Sequence, residues 1–110
     1  MAAQNPPRKN VAWTGYIQLS SFSTPGGTQV NPTLAAGDVT LIIDGVASTL
    51  GAAGSDKLIT LPVVTPAASR WVKVALSLDE MNGDNIGIQF VDQTAPKEWA
   101  DFWLEIQTTA

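Results

Sequence analysis

Histidine and cysteine are both absent from this 110-residue chain. Without histidine, no side chain titrates near neutrality at its ordinary pKa. Without cysteine there is no thiolate nucleophile, no disulfide and no thiolate metal site. No apolar run is long enough to cross a bilayer. The opening MAAQNPPRKN holds no apolar stretch of the signal-peptide kind, so synthesis in the cytoplasm is the expectation. Basic residues are few: six Lys and Arg face ten Asp and Glu, a formal charge of −4. Duplex affinity rests on basic side chains neutralising phosphates, so neither nucleic acid nor membrane is an expected partner.

Large apolar and aromatic residues are present instead. The hydrophobic fraction is 45%, with four tryptophans, enough for one domain to bury a core without covalent staples. Charge is unevenly placed. Up to Gly37 the only charged side chains are Arg8 and Lys9, and all ten acidic residues follow. Residues 1–10 read as an extended polar arm, stiffened by Pro6 and Pro7 and made basic by Arg8 and Lys9. Such an arm is either a frayed terminus or an element that docks on a neighbouring subunit. Residues 11–110 form the single domain.

Period-2 alternation dominates that domain. Residues 11–19 place Val11, Trp13, Gly15, Ile17 and Leu19 on one side. Residues 20–36 carry Pro25, Gly26, Gly27, Asn31 and Pro32 with little periodicity and read as a long loop. Residues 38–44 are rich in β-formers and end in Asp44-Gly45, a strong hairpin signal, with 46–50 returning. Residues 58–64 are another apolar strand, and Pro62 marks it as an edge or a bend. Residues 71–78 alternate, with Val72, Val74, Leu76 and Leu78 inward. Residues 85–92 place Ile86, Ile88 and Phe90 on one face. Residues 102–107 set Phe102, Leu104 and Ile106 against Trp103, Glu105 and Gln107. About seven short strands divided by turn signals predict an all-β fold, an Ig-like or jelly-roll antiparallel sandwich.

The densest polar segment is Asp79-Glu80-Met81-Asn82-Gly83-Asp84-Asn85. Its oxygens suit Ca²⁺, but the spacing is not that of an EF-hand loop. Ser77 and Glu80 fit a capping box opening one helical turn, and Asn82-Gly83-Asp84 closes it, with Gly83 suited to a left-handed conformation. A structural corner made of Ser77, Glu80, Asn82, Gly83 and Asp84 is therefore expected. No metal and no cofactor is. The pairs Asp79/Glu80 and Glu98/Asp101 lie close together on loops, a poor arrangement for two carboxyls across a cleft. Ser and Thr have no histidine to act as base. Among the tryptophans, Trp13 and Trp71 lie in strands and are assigned to the core. Trp99 and Trp103 are candidate interface residues, covered by a loop or anchoring a partner, with sugar stacking as a third use.

Residues 31–108 resemble small proteins from the structural gene clusters of tailed bacteriophages. The stretches that carry the resemblance are NPTLAAGDVTLIIDG, LPVVTPAASRWVKVALSLDEMNGDNIGIQFVD and EWADFWLEIQT. It implies a non-enzymatic β-sandwich subunit of a virion and transfers no catalytic or binding residue. The expectation is a capsid decoration (cement) protein on the capsid surface. Its partners would be the major capsid protein and copies of itself, with Pro6, Pro7, Arg8, Lys9, Trp99 and Trp103 at the interface. The alternative is a tail, neck or head-fibre module that binds host-surface glycan through exposed tryptophans.

Overall fold

A computed structural model describes residues 6–24, 26–53 and 56–109. Seven strands follow one another with no helix among the described residues: β1 (Trp13–Ile17), β2 (Val39–Ile43), β3 (Val46–Ala47), β4 (Val63–Val64), β5 (Val72–Leu76), β6 (Asn85–Phe90) and β7 (Phe102–Gln107). They form two antiparallel sheets, β1-β5-β4 and β3-β2-β6-β7. Their inward residues meet in one cluster: Val39 and Leu41 from β2, Val72, Val74 and Leu76 from β5, Ile86, Ile88 and Phe90 from β6, and Ile106 from β7. β-branched residues on the inner faces fit the pleated surface, and their burial drives the sheets together.

The strand order identifies the kind of sandwich. Lettered B, C, C′, D, E, F and G in chain order, the strands give sheets B-E-D and C′-C-F-G. Among the described residues, that is the strand order of an immunoglobulin-type sandwich without its first strand. The expected antiparallel β-sandwich is what forms, with a strand order of the Ig-like kind.

Alternation predicts the strands closely where they pair for several residues. The burial of β5 runs buried, half-buried, buried, half-buried, buried, with Val72, Val74 and Leu76 inward. The Asp44-Gly45 hairpin forms, with φ of 51° at Asp44 and 80° at Gly45, as a two-residue primed turn requires. Residues 58–64 depart from expectation. Only Val63–Val64 pair, at the edge of the smaller sheet, and Leu58 enters the core from irregular chain. Proline at position 62 has no N–H to give a ladder, which limits pairing to the residues after it. Leu78, expected inward, is exposed because β5 ends at Leu76 and the chain turns away.

The segment 20–36 is more ordered than a loop. Its start folds back on itself through Ser21 N to Gly27 O (2.8 Å) and Gln29 N to Leu19 O (2.7 Å). Ser21 also bridges Trp99, and Phe22 N donates to Glu98 O at 3.1 Å. Two buried carboxylates hold the neighbouring turns. Asp38 accepts from Ala35 N and Gln93 N, and Asp92 accepts from Thr94 N and Glu98 N, all at 2.7–3.1 Å. A carboxylate receiving two backbone donors satisfies groups that would be costly to bury unpaired.

Candidate functional site

The corner between β5 and β6 carries the chain from one sheet to the other. The capping box is reciprocal: Glu80 N donates to Ser77 Oγ at 3.3 Å, and Ser77 N donates to Glu80 Oε1 at 2.7 Å. Met81 N donates to Ser77 O at 3.1 Å, closing one helical turn. The second carboxylate oxygen of Glu80 accepts from Ile59 N at 2.8 Å, a distant bond that no local motif announces. With both oxygens engaged and the side chain buried, Glu80 is a structural group. Asn82 and Asp84 are exposed, and Asp84 N donates to Asp44 Oδ1 at 2.9 Å.

Gly83 corrects its expectation. Its φ lies outside the left-handed range, so backbone conformation does not demand glycine. Space does: a Cβ there would sit 2.5 Å from Ile43 Cγ2 and 3.0 Å from Asp44 Oδ2. The corner packs against the β2–β3 hairpin too closely for any side chain.

The basic arm also differs from expectation, so far as it is described. Residues 1–5 lie outside the described residues. Residues 7–10 run along their own domain. Thr109 N donates to Pro7 O (2.9 Å), Lys9 N to Thr109 O (3.0 Å) and Asn10 N to Met81 O (3.0 Å). Arg8 and Thr109 form a parallel bridge, and Lys9 Nζ lies 3.6 Å from Asp84 Oδ1. Residues 7–10 cap β7 and the corner.

The four tryptophans divide in a way only partly foreseen. Trp99 is 0% exposed, and its indole N–H donates to Thr33 O at 3.3 Å. It is a core anchor for the 20–36 segment and is withdrawn as an interface residue. Trp13 packs half-buried against the core. Trp71 is 47% exposed, contrary to its assignment to the core. Its ring stands edge-on to the exposed Tyr16, with centroids 6.5 Å apart. With Thr65 and Pro66 they line an open apolar cleft of about 370 Å³ on the outer face of the β1-β5-β4 sheet.

Trp103 is 62% exposed on the outer face of the other sheet. Two rows of side chains cross this face. Thr40, Gln89 and Trp103 are consecutive partners on β2, β6 and β7, as are Ile42, Gly87 and Glu105. A trough of about 330 Å³ lies among Ile42, Gly87, Gln89, Trp103 and Glu105. The sequence singled out Trp103. It did not single out Gln89, Gly87 or Glu105, whose meeting depends on strand register.

No group of three or more His, Cys, Asp or Glu suited to a metal occurs among the described residues. Comparison with known families, curated proteins and solved structures finds no match for the chain.

Proposed function

We propose that the chain is a non-enzymatic structural subunit of a tailed-phage virion, a capsid decoration protein that docks on the shell and stabilises it. The observation that carries this reading is where the large side chains stand. An immunoglobulin-like sandwich with Asp38, Glu80 and Asp92 tied to backbone amides presents Trp71, Tyr16 and Val63 on one outer face and Trp103 on the other. Amphipathic aromatics exposed on a rigid sheet are suited to anchoring a partner. The resemblance of residues 31–108 to phage structural proteins points to a virion as that partner. Pro6, Pro7, Arg8 and Lys9 contribute as a short basic edge beside β7. Co-sedimentation tests the proposal: purified chain mixed with particles stripped of it is expected to bind saturably and migrate with the heads. A chain that stays at the top of the gradient at every concentration contradicts it.

A second reading places the same subunit on a tail, neck or head fibre, where it binds glycan of the host surface. The observation that favours it is Trp103, exposed among amide and carboxylate side chains. Trp99, being buried, has no part in it.

A further inference from the structure

We propose that the outer face of the β3-β2-β6-β7 sheet is a binding trough for a neutral oligosaccharide, a proposal that rests on the second reading above. Trp103 is the stacking wall. Its indole is apolar across the ring, the complement of the C–H face of a pyranose. Around it stand groups that read hydroxyls. Gln89 pairs across from Trp103, Thr40 lies beyond Gln89 in the same row, Glu105 occupies the next row, and Asn85 stands one row further on, past the trough. An amide offers both donor and acceptor, and a carboxylate can receive two hydroxyls at once. The side chains of Thr40, Gln89, Glu105 and Asn85 make no hydrogen bond to other described residues, so their capacity is available to a ligand.

Gly87 is the second, independent observation. It sits within β6, between β2 and β7, where glycine weakens a strand and has no side chain to pack. Neither of the usual requirements applies to it. Its φ is outside the left-handed range, and an added Cβ would meet only Ile42 O at 3.7 Å and Ile42 Cβ at 3.8 Å, ordinary contact distances. The fold does not need this glycine. The trough does, because any side chain at position 87 would rise from its floor between Ile42 and Glu105.

The charge of the face selects the ligand. Thr40, Ile42, Asn85, Gly87, Gln89, Trp103, Glu105 and Gln107 include one carboxylate and no cation. A sulfated or carboxylated sugar would bring like charge to Glu105 without compensation. The Tyr16–Trp71 cleft on the opposite sheet offers no comparable set, since its polar side-chain groups are the Thr65 and Tyr16 hydroxyls and the Trp71 indole N–H, with no amide or carboxylate among them.

The test is calorimetric titration of the whole chain with a panel of neutral hexose and N-acetylhexosamine hexasaccharides, with a heparin hexasaccharide alongside. Saturable binding to at least one neutral oligomer and none to heparin is expected. Trp103→Ala should weaken that binding about tenfold or more, as loss of a central aromatic contact does. Gly87→Val should weaken it as much while leaving the melting temperature unchanged or higher, an outcome that a purely structural glycine would not give. The proposal is overturned by no binding across the neutral panel, by preference for heparin, or by binding insensitive to Gly87→Val. A change of oligomeric state on Gly87→Val without sugar binding also overturns it, because the face is then an interface between proteins. None of these results bears on where the subunit sits on a particle, so the virion reading stands or falls separately.

Discussion

Trp99 and Trp103 are close in sequence and have opposite roles, and only one role was legible. Trp103 lies in an alternating strand, so its outward direction followed from parity with Phe102, Leu104 and Ile106. Trp99 lies where no period exists, and its burial depends on the 20–36 segment folding over it. Trp99→Ala is expected to cost about 3–5 kcal/mol, the range for emptying a buried aromatic site. Trp103→Ala should stay within about 0.5 kcal/mol of the parent. Denaturant unfolding of both variants checks the contrast. At the corner, Ser77 and Glu80 were readable from their spacing, whereas the bond from Ile59 to Glu80 was not. Glu80→Ala therefore removes an acceptor from two backbone donors and should cost about 2–5 kcal/mol. Ser77→Ala should cost about 1 kcal/mol, the value of a cap. With both Glu80 oxygens engaged, added Ca²⁺ should leave the melting temperature unchanged. Gly83 provides a sharper residue-level test. Gly83→Ala should destabilise by about 1–3 kcal/mol through overpacking against Ile43. A double-mutant cycle with Ile43→Ala should recover part of that cost, whereas a backbone origin would leave it unaltered.

At the scale of elements, strands flanked by clear turns were the most legible. In β5 the alternation that sends Val72, Val74 and Leu76 inward also sends Trp71 outward, on the side of Lys73. Assigning Trp71 to the core because it lies in a strand leaves out that parity. β4 shrank to two residues because Pro62 interrupts what composition otherwise presents as a full strand. The described part of the arm, residues 6–10, departs from an extended segment for a different reason. Its parallel pairing with the end of β7 joins opposite ends of the chain, and nothing local encodes that. A variant lacking residues 1–10 should consequently lose stability, by about 2–4 kcal/mol for the backbone bonds among Pro7, Lys9, Asn10, Met81 and Thr109. Amide hydrogen exchange provides the measurement. Thr109 should lose protection in the truncated chain, and unchanged protection would mean the edge does not depend on the arm.

For the whole molecule, the number of strands and their β character were evident from the sequence, but their distribution between two sheets was not. β1 pairs with β5 across most of the chain, and β2 pairs with β6 across the corner. Such long-range pairing follows from shared burial, to which alternation is blind. The immunoglobulin order explains why the two aromatic surfaces point in opposite directions: one belongs to each outer face of a two-layer sandwich. Under the proposed function, one face would hold a shell and the other would be turned to its surroundings. Its central claim is attachment to a virion, and imaging tests that most directly. Cryo-electron microscopy of intact particles carrying a tagged copy of the chain should show the tag repeated at symmetry-related positions on the capsid exterior. Tags confined to tails would contradict the capsid assignment, and particles without any tag would contradict the account as a whole.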